Sequence, residues 1–379
     1  MQTQELESKV FQGEMPNGGE ENRKDAEESR AAAGEYGLRI GDLYAKVPVI
    51  QGGMGVGVSL SGLASAVANA GGIGIISTAQ IGFRDKEYAH KPLECNLKAV
   101  RQEIQKAKEL APNGIIGVNI MVVTQHYEEY VKAAVEAGAD CIISGAGLPM
   151  ELPALTKDSN TKIAPIVSSK KALYVIAKYW MRKYNRKPDF IVVEGPLAGG
   201  HLGFSTEELS RLTPELYDEE VKAIIACAKE MELDAPVIVA GGVYAREDMM
   251  HYLAMGASGV QLATRFVTTR ECDASDAYKQ AYINASKEDI VIVNSPVGMP
   301  GRAIRNAFLD KVKAGERLMG GCRHCIKTCN PATTPYCITE ALVNAVEGRL
   351  DKGLIFCGEN AYRAQRIETV AEIMEEFIL

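Results

Sequence analysis

Eight short apolar runs, separated by stretches with helical spacing, limit the folds open to this chain more than any other feature of its sequence. Each run is four or five residues long and mostly β-branched, as expected of parallel strands buried on both faces. The predicted strands are residues 47–50, 74–77, 115–119, 141–144, 163–167, 190–193, 237–240 and 259–262. The predicted helices between them include residues 60–70, 127–137, 170–184, 219–231 and 246–255. Eight strand–helix repeats predict a (β/α)8 TIM barrel, whereas a doubly wound sheet would not need eight such units.

The composition of the sequence and its pattern of apolar runs divide the chain into three predicted parts. Residues 1–36 are polar and charged and are expected to form a solvated arm. Residues 37–270 hold the predicted barrel. Residues 271–379 are too many for one closing helix, and they form an extension with a cysteine cluster and two predicted helices, at 338–347 and 362–377.

Two spacers within the predicted barrel are longer than such a fold requires. They cover residues 82–114 and 204–235. Long insertions in a barrel are often lids over the active site, so both spacers are candidate lids.

Charge and hydrophobicity exclude several classes of protein. Hydrophobic residues make up 46% and charged residues 24%, as in folded soluble proteins, and no run of 18 apolar residues predicts a membrane span. The net charge of -7 argues against nucleic-acid binding, which needs a basic surface. The acidic N-terminus has neither a secretory nor a transit signal, so a cytoplasmic location is expected. The sequence leaves open whether the chain forms a homo-oligomer.

Residues at the carboxyl ends of the predicted strands are the candidate site, because TIM-barrel active sites lie there. The first predicted strand is followed by Gly52, Gly53 and Met54, and glycines let the backbone approach a flat ligand closely. The third contains Asn119, whose side chain can bond a ring or a phosphate. The sixth is followed by His201, preceded by two glycines, and histidine is the usual proton-transfer group near neutral pH. We therefore predict that His201 is catalytic.

The seventh and eighth predicted strands carry a candidate phosphate site. Gly241 and Gly242 follow the seventh strand and Thr264 follows the eighth, the usual position for phosphate in these barrels. Free backbone N–H groups and the hydroxyl can hold a phosphate there. No P-loop is present, and no glycine-rich turn lies in a dinucleotide fingerprint. The pattern favours FMN over a bound dinucleotide.

These motifs, in this order and spacing, resemble the nitronate monooxygenase family, also called 2-nitropropane dioxygenase-like, over about residues 38–310. The motif Ala198-Gly199-Gly200-His201 is shared with its relative, the flavin-type enoyl-acyl-carrier-protein reductase. The resemblance implies an FMN-containing TIM barrel with His201 as the active-site histidine. It implies flavin contacts at Gly52, Gly53, Met54, Asn119, Glu194, Gly199, Gly242, Gln261 and Thr264, and Gly200 and Gly241 join this predicted site. Many members have Gln where this chain has Glu194, and a carboxylate there disfavours an anionic reduced flavin.

The extension carries a cysteine cluster, Cys322-x2-Cys325-x3-Cys329-x7-Cys337. In a reducing compartment, clustered thiols are typical of metal sites. Three closely spaced cysteines and a more distant fourth predict a [4Fe–4S] cluster, with zinc as the competing metal and no metal as the third alternative. Simple nitronate monooxygenases do not need such a cluster.

A basic stretch precedes this cluster and contains Arg302 and Arg305, followed by Lys311 and Lys313. The four residues are expected to form a solvated face, and the alternative is contact with an anion or a carrier phosphate.

Three functions remain open on sequence grounds. The first is an FMN-dependent nitronate monooxygenase that oxidises alkyl nitronates to a carbonyl compound and nitrite. The second is an FMN-dependent enoyl-thioester reductase that uses NAD(P)H and passes electrons through the iron–sulfur cluster. The third is a flavin- or metal-binding protein without turnover, against which His201 counts. In the first two the partner is a small-molecule substrate.

Overall fold

Eight parallel strands close into a barrel in the computed structural model, which describes residues 37–379. The barrel strands are β3 (Val49–Gln51), β4 (Ile73–Ser77), β5 (Ile115–Met121), β6 (Cys141–Gly145), β7 (Lys162–Val167), β8 (Ile191–Glu194), β10 (Val237–Ala240) and β11 (Gly259–Leu262). They follow one another around the barrel in chain order, with β11 paired to β3. The predicted TIM barrel is confirmed. The predicted polar arm, residues 1–36, lies outside the described residues.

An antiparallel hairpin packs against the barrel interior. It consists of β1 (Leu38–Ile40) and β2 (Leu43–Ala45), paired from Leu38 to Ala45. Leu38 and Ile40 are buried in the cluster that also contains Ile50 and Phe190. The apolar side chains of this cluster fill the barrel interior, as in other barrels of eight strands, so the barrel is not a pore.

Helices alternate with the barrel strands along the chain, and most of them pack apolar side chains against the strands as an outer layer. They are α1 (Ser61–Asn69), α2 (Pro92–Leu110), α3 (Tyr127–Glu136), α4 (Leu152–Leu155), α5 (Lys170–Tyr184), α6 (Thr206–Arg211), α7 (Pro214–Glu230), α8 (Arg246–Ala254) and α9 (Thr264–Val267). The 82–114 spacer is not a lid, since it contains α2, whose buried Val100 and Ile104 pack in the barrel's outer core. The 204–235 spacer contains α6 and the outer-layer helix α7.

The outer helix beside β11 and β3 comes from the end of the chain. The helices after α9 are α10 (Asp276–Ile283), α11 (Ala307–Lys313), α12 (Ile338–Val346) and α13 (Val370–Glu376). In α13, Ile373 and Met374 are fully buried, and Phe377 follows them into the cluster that includes Val49 and Val260. Burying each such side chain contributes about 1.5–3 kcal/mol. The final helix therefore completes the barrel layer.

The chain between α9 and α13 covers the carboxyl ends of the strands. Its centre is an antiparallel sheet of β12 (Ile290–Asn294), β13 (Pro300–Ile304) and β14 (Ile355–Phe356). A two-residue strand from the barrel loop, β9 (Gly200–His201), pairs with β13. The extension thus has its own sheet, which the sequence analysis did not predict. No helix within residues 37–379 is long and apolar enough to span a membrane.

Candidate functional site

A cavity of about 520 Å³ lies between the carboxyl ends of the barrel strands and the extension that covers them. Its volume is within the range of small-molecule and cofactor sites, about 300–1,000 Å³. All twelve residues that the sequence analysis placed in the barrel site line it: Gly52, Gly53, Met54, Asn119, Glu194, Gly199, Gly200, His201, Gly241, Gly242, Gln261 and Thr264. The structure brings them together, and their individual roles stay predictions.

Three polar side chains from separate strands face this cavity without a protein partner. They are Asn119 at the end of β5, Glu194 at the end of β8 and Gln261 in β11. Within residues 37–379, no hydrogen bond is recorded for any of the three side chains. Polar groups in a protein interior normally have partners, so this set is suited to the polar edge of a bound ligand.

Beside them, the backbone at Gly53 packs closely against β5. A Cβ atom at Gly53 would lie 2.4 Å from the Cβ of Asn119. Only glycine fits at that position, because real Cβ atoms do not approach so closely. The turn after β3 can therefore pack directly against Asn119 of β5.

The opposite end of the cavity is rich in backbone donors. Gly241 and Gly242 have φ angles of +87° and +106°, which glycine adopts without strain. The hydroxyl of Thr264 accepts a hydrogen bond from the backbone N–H of Gly358 at 3.1 Å. Neither lysine nor arginine is among the described residues that line the cavity. An anion at this end would be held by neutral donors.

His201 is held in the cavity wall by the extension. It is half-buried, and β9 pairs it with Gly301 of β13. Its Nε2 lies 2.6 Å from the Oγ of Ser295, and its ring packs edge-on against Phe356 at 4.9 Å. Burial lowers the pKa of His201 to about 4, so the imidazole is neutral at neutral pH. A neutral imidazole offers one donor and one acceptor.

Glu194 differs from the other unpartnered groups because it can ionise. Burial raises the pKa of its carboxyl to about 7, since no cation offsets the loss of water. Burial raises the pKa of the Tyr217 hydroxyl in α7, and the nearby Glu194 carboxylate raises the pKa of this hydroxyl further. The Tyr217 hydroxyl donates to the carbonyl oxygen of Ala240 at 3.2 Å. At neutral pH the cavity therefore contains one carboxyl poised between its two protonation states.

Arg302 is not part of a solvated basic face, and the expectation for this residue was wrong. Its side chain is 5% exposed, and its Nη1 donates to the carbonyl oxygen of Pro196 at 2.8 Å and to that of Ala198. Its Nε lies 2.8 Å from a carboxylate oxygen of Glu359. The residue ties the loop that leads to His201 to the extension.

The structure does not show the four clustered cysteines as a metal-binding group, so it does not support the predicted iron–sulfur cluster or its zinc alternative. In the described part of the chain, no three His, Cys, Asp or Glu side chains are arranged to hold a metal ion. Cys325 and Cys337 are buried, Cys329 is half-buried and Cys322 is exposed. Burial raises the pKa of Cys325 to about 11.

The cysteine segment instead forms part of an apolar wall. Ile326 forms an antiparallel bridge with Thr124, and the Lys327 N–H donates to the carbonyl oxygen of Val123 at 2.9 Å. Of the four cysteines, only Cys325 lines the cavity. The apolar wall is made of Met121, Val297, Met299, Cys325, Ile326, Ile338, Leu342 and Phe356. It shields the cavity from water on the side of the extension.

Three residues that matter at the site escaped the sequence analysis: Ser295, which bonds His201, and Gly358 and Asn360, which line the cavity. Ser295 lies in the turn between β12 and β13. The other two follow the apolar run 354–356, and a glycine after such a run was a usable signal, as it was at the barrel strands. Nothing in local periodicity pointed to Ser295.

Comparisons with known proteins agree with this architecture. The model of the family described as nitronate monooxygenase matches residues 39–379. A probable nitronate monooxygenase of Staphylococcus saprophyticus is 26% identical over 294 residues, covering 72% of this chain and 79% of the relative. A Mycobacterium tuberculosis protein named (3aS,4S,5R,7aS)-5-hydroxy-7a-methyl-1-oxo-octahydro-1H-indene-4-carboxyl-CoA dehydrogenase is 28% identical over 273 residues, covering 72% and 67%.

Solved structures resemble the whole described fold. FabK from Thermotoga maritima superposes with a TM-score of 0.68 at 27% identity, covering 88% of this chain and 92% of that one. The nitroalkane oxidase from Streptomyces ansochromogenes gives a TM-score of 0.68 at 18% identity, covering 88% and 95%. The second likeness concerns the fold alone.

Proposed function

Because the chain belongs to the nitronate monooxygenase family, a family of flavin-dependent oxidoreductases, we propose that it oxidises alkyl nitronates to a carbonyl compound and nitrite. The observation that carries the proposal is the position of His201, a neutral imidazole bonded to Ser295 in the wall of a glycine-lined cavity. O2 is the co-substrate in this reaction.

The residues present fit FMN, the cofactor that the family implies. Asn119, Glu194 and Gln261 would bond the polar edge of the flavin ring, since these side chains have no hydrogen-bond partner within residues 37–379. Gly241, Gly242 and Thr264 would hold the phosphate at the end rich in neutral donors. Gly53 also lines the cavity, and without a side chain its backbone could lie close to the flat ring.

When bound, FMN supplies the redox chemistry, and the protein's own residues bind and orient the substrate. A nitronate is already deprotonated, so the reaction does not need a strong base. His201, whose pKa is about 4, is a weak base but a competent hydrogen-bond donor. With Nε2 accepting from the Ser295 hydroxyl at 2.6 Å, the remaining N–H can donate to a nitronate oxygen. His201 would thus orient the anion.

The apolar wall explains how the substrate's alkyl part would be held. Its side chains include Met121, Met299 and Ile326, which come from β5 and the extension. Unbranched methionines adapt to irregular apolar groups. Excluding water on this side also strengthens the hydrogen bonds to the anionic end of the substrate.

The direct test is product formation by purified holoenzyme. With propionate 3-nitronate in air, we expect nitrite to form in proportion to the O2 consumed, and to depend on the nitronate concentration. Absence of nitrite across a series of alkyl nitronates, with FMN fully bound, would overturn the proposal.

A second candidate is reduction of enoyl thioesters with NAD(P)H. Its specific support is the relative from Mycobacterium tuberculosis, whose name denotes a dehydrogenase of a CoA thioester. The apolar wall would suit an acyl chain equally well. An assay of NAD(P)H oxidation under nitrogen, with and without an enoyl thioester, separates this candidate from the first.

The charge state of Glu194 predicts a pH dependence. The pKa of this carboxyl is raised to about 7, so it is neutral below pH 7 and anionic above it. An anion beside the cavity repels a nitronate, and kcat/KM should therefore fall up to about tenfold per pH unit above 7. In the Glu194→Gln variant the profile should be flat over this range. Initial rates at constant nitronate concentration, between pH 6 and pH 9, measure it.

Glu219→Gln is the matched control, because Glu219 is exposed on α7 and pairs with Lys222 at 2.8 Å outside the cavity. It should keep the wild-type profile. A Glu194→Gln enzyme whose rate still falls above pH 7 would assign the titration to another group.

A further inference from the structure

Residues 357–360, in the extension far beyond the last barrel strand, contact the loops after three barrel strands. The Gly358 N–H donates to the Thr264 hydroxyl after β11, at 3.1 Å. The Glu359 N–H donates to the carbonyl oxygen of Leu197 after β8, at 3.1 Å. Nδ2 of Asn360 donates to the carbonyl oxygen of Gly242 after β10, at 2.6 Å. Two of these loops, after β10 and β11, are those on which the phosphate site was predicted.

The fit of this segment is close. A Cβ atom at Gly358 would lie 2.4 Å from the Thr264 hydroxyl oxygen, and one at Gly199 would lie 2.6 Å from the carbonyl carbon of Cys357. The ion pair between Glu359 and the buried Arg302 also anchors this segment. Residues 357–360 are thus packed into the site and are not a loose surface contact.

Asn360 has hydrogen-bonding capacity that no residue in the described part of the chain uses. Its Nδ2 carries two hydrogens, and one bonds the Gly242 carbonyl. Asn360 also lines the cavity, so the second hydrogen can be donated to a ligand. Because no lysine or arginine among the described residues lines the cavity, a phosphate there depends on each neutral donor.

We propose that residues 357–360 are part of the FMN phosphate site and that Asn360 is a cofactor-positioning residue in it. Asn360 restrains the Gly242 loop and donates to the phosphate. The extension and the phosphate then stabilise each other's position. The proposal rests on FMN as the cofactor and is independent of whether the substrate is a nitronate.

The test compares FMN with riboflavin, which lacks the phosphate. Holoenzyme is diluted and the fluorescence of released FMN gives the dissociation constant; separately, holoenzyme is equilibrated with excess riboflavin and the bound flavins are quantified. Asn360→Ala should raise the Kd for FMN about 10- to 100-fold, the loss expected for one hydrogen bond to a charged group. Asn360→Asp should raise it further, because a carboxylate cannot donate to Gly242 and repels phosphate. Both variants should shift the exchange towards riboflavin.

Asn69→Ala is the matched control, since the Asn69 amide donates to the carbonyl oxygen of Leu110 at 3.0 Å away from the cavity. It should keep the wild-type preference for FMN. An unchanged preference in both Asn360 variants overturns the proposal, and so does an equal loss of both flavins. If neither variant folds, hydrogen exchange on the wild-type protein decides: residues 357–360 should be better protected with FMN than with riboflavin, and equal protection overturns the proposal.

Discussion

His201→Ala is expected to lower kcat/KM for the nitronate by about 10²–10³-fold, the loss expected for one positioned hydrogen-bond donor to an anionic group, while the protein keeps its FMN. The imidazole is the titratable side chain that Ser295 and Phe356 hold in the cavity wall, and alanine leaves nothing to orient the substrate. The predicted flavin contacts lie on other residues, so the cofactor should stay bound. Nitrite formation gives the rate, and the visible absorbance of the purified protein gives the FMN content.

The control for this variant is His251→Ala, because His251 is exposed and bonds Asp218 at 2.9 Å on the outer helices. It should behave as wild type. An unchanged kcat/KM in His201→Ala on the true substrate would assign His201 to structure alone.

Gly241→Ala is expected to weaken FMN binding by about 100-fold or more. At φ +87° an alanine is strained, at a cost of about 1–3 kcal/mol. In addition, the new Cβ would lie 2.7 Å from the backbone nitrogen of Gly195, so the loop must shift away from the phosphate site. The backbone strain and the displaced loop both move the backbone N–H groups that are expected to hold the phosphate. The FMN content after purification, and its release on dilution, measure the change.

Gly315→Ala is the control for Gly241→Ala, because it introduces the same backbone strain without displacing a loop of the cavity. Gly315 has φ +88°, but an added Cβ has no atom within 4 Å, and the residue does not line the cavity. It should lose some stability and keep its FMN. A Gly241→Ala protein with a full complement of FMN would show that this loop does not hold the cofactor.

The barrel could be predicted from the sequence because its signals are local. Runs such as 237–240 and 259–262 are short and mostly apolar, and the observed β10 and β11 have the same limits. The cavity followed from one topological fact, that parallel strands end at the same edge. Asn119, His201 and Thr264 could therefore be grouped without knowing any distance.

The parts that were missed depend on contacts between distant segments. His201 is positioned by pairing with Gly301 and by the Ser295 hydroxyl, about which the periodicity of the barrel strands gives no information. Arg302 was expected at a solvated face, since a charged residue in a basic stretch is usually exposed. It is buried because the carbonyl oxygens of the loop after β8 and the carboxylate of Glu359 satisfy it.

The cysteine cluster shows a different limit. Spacing along the chain shows that thiols can converge, but not which way each one faces. Cys325 faces the cavity and Cys322 faces solvent, because the bridge between Ile326 and Thr124 fixes the segment against the barrel. The structure supports one role for this segment, which is to supply apolar surface to the cavity wall.

The most direct test of the proposed activity is anaerobic mixing of the holoenzyme with an alkyl nitronate while the flavin absorbance is recorded. We expect the nitronate alone to bleach the bound FMN, without NAD(P)H, and the His201→Ala protein to bleach far more slowly. Flavin that stays oxidised with every nitronate but is bleached by NAD(P)H would contradict the account and favour the enoyl-thioester reductase.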